Sequence, residues 1–124
     1  MKTFKVIIAG SRDFNDYEKM AEKCDHILSQ YLANPLFEVI IISGTARGAD
    51  RLGEKYAKER QLKVWRFPAD WNKHGKAAGY IRNREMAQVA DALIAFRQAG
   101  AVNKGTDNMI QLAKEQGIPV RIIN

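Results

Sequence analysis

Residues 40–50 read Ile-Ile-Ile-Ser-Gly-Thr-Ala-Arg-Gly-Ala-Asp, and few folds accept that order. Three successive isoleucines are apolar on both sides of an extended chain, so a strand here must be covered on both faces. Gly44 and Gly48 then permit a tight turn and leave no side chain between the backbone and a ligand. Ala49-Asp50 opens a helix whose unpaired N–H groups and positive dipole end suit a phosphate. Similar strand–glycine–helix junctions follow the apolar runs at 6–9, where Gly10 stands, and at 92–96, ahead of Gly105.

The rest of the chain alternates in the same way. Residues 6–9 form a first strand. Asn15, with Glu18 three residues on, resembles a capping box. Tyr17, Met20, Ala21, Cys24, Ile27, Leu28 and Tyr31 then share one helical face, ended by Asn34-Pro35. Residues 39–42 form the second strand. A second helix buries Ala49, Leu52, Gly53, Tyr56 and Ala57. Residues 63–67 form the third strand, a loop spans 68–76, and a helix runs over 77–90. Residues 92–96 form the fourth strand and 97–104 a loop. A last helix opens at Gly105-Thr106, with Met109, Ile110 and Ala113 inward, and 120–123 form the fifth strand.

This alternation implies right-handed crossovers and a parallel sheet. Strands one, two and four are continuously apolar and belong in the centre, whereas arginines interrupt three and five, which belong at the edges. The expected architecture is an α/β, Rossmann-like three-layer sandwich with a five-stranded parallel sheet in the order 3-2-1-4-5. It fills a single domain over 1–124. That order has its switch point between strands one and four, where such sheets bind ligands beyond the carboxyl ends of the strands. Gly10, Gly44 and Gly105 all fall on that edge.

A formal net charge of +6 favours anionic partners: nucleotides, sugar phosphates or nucleic acid. No lysine or arginine block is dense enough for a nucleic-acid tail, and no apolar run approaches membrane-spanning length. Cys24 is the only cysteine, so no internal disulfide can form, which fits a cytoplasmic location. Cys24 lies in an apolar stripe and reads as core rather than as a reactive thiol. Two histidines far apart and one cysteine give no metal-ligand spacing. The Ser43–Asp50 segment has neither a Walker ending nor a GxGxxG fingerprint, and no cofactor is expected.

The candidate ligand-binding residues follow from the junctions. In the first loop Ser11 offers a hydroxyl to a phosphate and Arg12 a guanidinium. Ser43, Gly44, Thr45 and Ala46 offer hydroxyl and backbone donors. Asp50 reads as structural, balancing the first helical turn and pinning the loop. Arg82 shares a helical face with Met86 and Val89, so it points inward and needs an anionic partner: a ligand phosphate, Asp50 or Asp13. Asn83 stands beside it. His74, Gly75 and Lys76 lie in a loop placed to act as a lid, with His74 more readily a surface residue than an acid or base. Trp71 either stacks on a base or anchors this loop by packing. His26 reads as structural. No catalytic residue can be assigned from the pattern alone.

The segments AGSRDF, SGTARGAD, RFPADW, HGKAAGYIRNREM, ADALIAF and KGTDNMI together resemble the YspA/cpYpsA-related family of the SLOG superfamily. The resemblance covers nearly the whole chain. It implies a Rossmann-like fold in proteins of bacteria, phages and mobile elements, and a ligand derived from nucleotides. The superfamily includes the LOG phosphoribohydrolases, which release free base from cytokinin nucleotides, and the single-stranded-DNA-binding protein DprA. Arg82 in RNREM is similar to a LOG arginine. Gly105-Thr106 matches the Gly-Thr of the LOG PGGxGTxxE motif, but Met109 stands where that motif has its glutamate. Methionine cannot act as acid, base or oxocarbenium stabiliser, so LOG-type hydrolysis requires Glu85, Asp107 or Asp50 instead. The expected function is to bind a nucleotide or nucleotide-derived phosphorylated ligand, as a sensor. The alternatives are nucleotide hydrolysis and single-stranded nucleic-acid binding. Family analogy adds a homo-oligomer.

Overall fold

The computed structural model describes residues 1–124. Five strands, β1 (Lys2–Gly10), β2 (Phe37–Ser43), β3 (Lys63–Arg66), β4 (Ala92–Phe96) and β5 (Val120–Ile123), make one parallel sheet ordered β3-β2-β1-β4-β5. The helices are α1 (Tyr17–Ile27), α2 (Ser29–Leu32), α3 (Ala49–Glu59), α4 (Trp71–His74), α5 (Ala78–Val89) and α6 (Lys104–Glu115). The expected fold and strand order are therefore observed.

Strand alternation sorts the apolar residues into two layers. Val6 and Ile8 of β1, with Ile41 of β2, pack against Met20, Cys24, Tyr56 and Ala57 of α1 and α3. Ile7 and Ala9, with Ile42, face Met86, Ala87, Met109 and Ala113 of α5 and α6. Because β1, β2 and β4 are wanted by both layers, every position from Val6 to Ile8 is fully buried. Truncating any of these isoleucines to alanine removes roughly 2–5 kcal/mol of burial and packing. At the edges, Lys63, Trp65, Arg66 and Arg121 are exposed, as interrupted strands require.

Burial pushes the Cys24 thiol up to about 12, which keeps it protonated and inert in the core.

Four local expectations need correction. The N-cap of α1 is Asp16, whose carboxylate accepts from the Lys19 N–H at 3.1 Å, and not Asn15. Adjacent Asn and Asp are both good caps, and the backbone decides between them. The first helical stretch breaks at Leu28, so residues 29–32 form the separate short α2. The segment 68–76 is not all loop: Asp70 caps α4 by accepting from Lys73 N–H at 3.1 Å, and a 3-10 turn over Gly75–Ala77 leads into α5. Four residues are too few to show helical periodicity. Finally, the buried face of α5 carries Ala78, Asn83, Met86 and Ala87, while Val89 is 36% exposed. Arg82 consequently sits at the margin of that face.

Candidate functional site

The three glycine junctions meet. A crevice of about 480 Å³ at the carboxyl edge of the sheet is lined by Gly10, Arg12 and Asp13 from the first loop, by Ala46, Arg47 and Asp50 from the second, and by Lys104, Gly105 and Thr106 from the third. Trp71, Lys76, Tyr80, Arg82 and Asn83 complete its wall. A smaller lobe of about 340 Å³ continues past Gly44, Thr45 and Pro68, sharing Arg12, Arg47 and Arg82. Five cationic side chains against two carboxylates give the main crevice a positive excess. A larger open hollow of about 790 Å³ lies beside α6 and the C-terminus, but its Arg97 and Lys114 are balanced by Asp107 and Glu115. It has no such excess.

The floor is tightly constructed. A Cβ on Gly10 would stand 2.2 Å from the Phe96 carbonyl oxygen, at the last pair of the β1–β4 ladder. A Cβ on Gly48, whose φ is +80°, would stand 2.4 Å from the Ser11 carbonyl oxygen and 2.5 Å from that of Arg12. The Ala49 N–H donates to the Ser11 carbonyl at 3.2 Å. The first and second loops are thus one packed unit. Thr45, at φ +66°, is in a backbone region costly for a β-branched residue. Its N–H donates to Ser43 Oγ at 3.1 Å, and the Ala46 N–H donates to Asp50 Oδ2 at 3.1 Å. Those two amides, expected to serve a ligand, stabilise the loop instead.

Ser43 is also turned inward. It is fully buried, and its hydroxyl donates to Glu54 Oε2 at 2.7 Å, so it lies outside the crevice lining. Ser11 is buried as well, with Oγ accepting from the Asp13 N–H at 3.1 Å. Asn83 bridges α5 and α6, donating to the Gly105 carbonyl at 3.3 Å and to Asn108 Oδ1 at 3.0 Å. Its own Oδ1 accepts from Arg82 Nε at 2.9 Å, so Asn83 orients the arginine. Neither α3 nor α6 has a side-chain cap at its crevice end, whereas α1 and α4 are capped by aspartates.

Arg82 is the central cation. Its Nη1 donates to the Gly44 carbonyl and, at 3.5 Å, to the Phe67 carbonyl. These partners are neutral, and they leave the N–H groups of Nη2 for the crevice. Burial lowers the Arg82 pKa, an effect opposed by Asp50 and reinforced by Arg12. Guanidinium nevertheless stays charged at any ordinary pH. Asp50 Oδ2 and Arg82 Nη1 each lie 2.8 Å from the point where a Cβ on Gly44 would stand. They are neighbours without forming a salt bridge. Burial pushes Asp50 up to about 6, against the opposing influence of the Ala46 N–H and of Arg82.

Of the three carboxylates able to replace a glutamate at Met109, only Asp50 lines the crevice. Glu85 is exposed on α5, and Asp107 is held by Arg97 at 2.7 and 3.1 Å. Met109 itself is buried beneath the crevice. His74 is not in the lining. Tyr80, Lys104 and Arg47 are, and the sequence pattern marks none of them beyond the three-residue helical offset of Tyr80 from Asn83.

These features define a Rossmann-like α/β protein with a basic crevice at the topological switch point. The chain belongs to the YspA, cpYpsA-related SLOG family, whose model matches residues 4–74. It is 32% identical over 122 residues to the Gene 61 protein of Mycobacterium phage D29, covering 94% of this chain and 93% of that one. Its fold is similar to that of DNA processing protein A (DprA) from Streptococcus pneumoniae, with a TM-score of 0.68 at 19% identity over 99% of the chain. The chain spans only 50% of that DprA chain. TM1055 is also similar, with a TM-score of 0.64 at 17% identity, over 97% of this chain and 72% of TM1055. No helix is long and apolar enough to cross a membrane.

Proposed function

We propose that the crevice binds a nucleotide or nucleotide-derived phosphorylated ligand, as a sensor, with the phosphate on Arg82. The observation that carries this reading is a half-buried guanidinium on the crevice wall, held by the Gly44 and Phe67 carbonyls and the Asn83 side-chain oxygen, all neutral, with no carboxylate within salt-bridge distance and no hydrogen bond to Nη2. A cation so placed is stabilised most by an arriving anion. The uncapped start of α6 at Lys104-Gly105-Thr106 supports the same site from the opposite wall. Isothermal titration against a panel of nucleotides and sugar phosphates tests it. Arg82→Gln places its amide nitrogen near the position of Nε, so it keeps a donor for Asn83 Oδ1 while losing the guanidinium charge and the reach to the Gly44 carbonyl, and is expected to weaken every hit about tenfold or more. A panel without hits, or hits indifferent to Arg82→Gln, refutes the reading.

A second reading, hydrolysis of the nucleotide, is favoured by Asp50, whose carboxyl lies in the crevice with its pKa near the working range of a general acid or base. Release of free base from nucleoside monophosphates, lost in Asp50→Asn, is its test. Single-stranded nucleic-acid binding is the weaker alternative, because the likeness to DprA carries the fold alone. It requires affinity that falls steeply with salt.

A further inference from the structure

Two large aromatic side chains stand open at the mouth of the crevice. Trp71 is 52% exposed and Tyr80 is 41% exposed, and both belong to the wall that carries Arg82. Neither ring packs on another aromatic ring. Trp71 does not serve mainly as an anchor for its segment, since half of its surface is in solvent and the residue beneath it is Gly79. The absent Cβ of Gly79 marks the spacing. It would stand 3.6 Å from Trp71 Cη2 and 3.9 Å from Arg82 Nη2, so the edge of the indole and the uncommitted end of the guanidinium border the same gap. The Asp70 cap on α4 fixes the start of the turn that carries the indole.

We infer that Trp71, with Tyr80, is a stacking platform for the base of a nucleoside 5′-phosphate whose phosphate lies on Arg82. The inference rests on the proposed phosphate site and names the ligand class that fills it. Flat aromatic faces interleaved with Arg12, Arg47, Lys76, Arg82 and Lys104 match a base joined to phosphate, and not a plain sugar phosphate or an inorganic anion. A crevice of about 480 Å³ between the three loops and α5 suits a single nucleotide. Stacking depends on a π-face that every base has, so the site discriminates little among bases.

The chain has two tryptophans, and Trp65 lies outside the crevice on β3 beside Lys5. Trp65→Phe therefore isolates the Trp71 fluorescence. AMP, GMP, CMP and UMP are expected to perturb that fluorescence and to bind within a few-fold of one another. Ribose 5-phosphate is expected to bind about five- to 150-fold more weakly, the factor that stacking of one base supplies. Trp71→Ala should lower nucleotide affinity by that same factor and leave ribose 5-phosphate unchanged, with Trp71→Phe retaining most of the affinity. Equal binding of nucleotides and ribose 5-phosphate, or nucleotide affinity indifferent to Trp71→Ala, overturns the platform and leaves the phosphate site standing. If none of these compounds and no inorganic pyrophosphate binds the unaltered protein, the phosphate site fails and the platform with it. Binding of a short oligothymidylate far tighter than any mononucleotide also overturns the inference, in favour of a nucleic-acid strand.

Discussion

Asp50→Asn should make the protein more stable at neutral pH, although it removes the charge next to Arg82. Asp50 is 7% exposed, and burial is the largest influence on its carboxyl, raising it from 3.8 to about 6. The charged and polar groups acting on it are Arg82 from α5, Arg12 from the first loop, Glu54 from its own helix and the Ala46 N–H. A group that holds its proton more tightly when folded contributes stability that is complete below its unfolded pKa, near 4, and lost as pH rises through 6. The native chain binds more protons than the unfolded chain across that window, so stability falls with pH there. The shift corresponds to about 3 kcal/mol disfavouring the charged form at neutral pH, an upper figure because burial of one carboxyl is rarely complete. Asparagine mimics the protonated acid and keeps an acceptor for the Ala46 N–H. Urea unfolding at a series of pH values from 4.5 to 8 is the assay. The variant should be about 1 kcal/mol more stable at pH 4.5, and the gap should widen toward neutrality to as much as about 3 kcal/mol. If Asp50→Asn is instead less stable at neutral pH and the deficit shrinks on acidification, the Arg82–Asp50 attraction outweighs burial and the reasoning is wrong.

Gly48→Ala should lower the thermal midpoint substantially, because the new methyl meets two backbone carbonyls that cannot yield cheaply and φ is +80°; a loss above about 1 kcal/mol is expected from the strained backbone alone. Asp25→Ala strips the acceptor from the Tyr56 hydroxyl, at 2.7 Å, and from Arg60, at 2.7 and 3.0 Å. Its cost should be about 1–2 kcal/mol by chemical denaturation, moderated by partial exposure of the carboxylate. Gly105→Ala meets no atom within 4 Å, so stability should hold or rise by a few tenths of a kcal/mol. Calorimetric affinity for a phosphorylated ligand should nonetheless fall, since the methyl would occupy crevice space; unchanged affinity would remove the start of α6 from the site.

The sheet was legible because its evidence is redundant. Ile40–Ile42, Val6–Ile8 and Leu93–Phe96 lack any polar alternation, and only central parallel strands tolerate that. The meeting of the Gly10, Gly44 and Gly105 junctions at one edge followed from strand order, with Gly44 itself lining the smaller lobe rather than the main crevice. Arg82 was legible from helical phase, though its helix is rotated enough to expose Val89 and to place Asn83 on the buried face. Details that depend on a single hydrogen bond were not legible. Ser43 looks like a ligand donor from its position in the loop, but as the last residue of β2 it turns toward Glu54 of α3. The amides of Thr45 and Ala46 look available until Asp50 and Ser43 are seen to accept from them. The helical turn at Trp71 is too short to mark itself in sequence, so the placement of that indole beside Arg82 emerges only in three dimensions.

The contact of Gly48 with the carbonyls of Ser11 and Arg12 has a consequence for how such a crevice can diversify. With the two loops locked together, neither can be reshaped without dislodging its neighbour, and the floor offers little freedom. A new ligand must be accommodated from above, through residues 68–80 and 98–104, which overlie this base. Attempts to redirect the protein to another compound should begin on that rim.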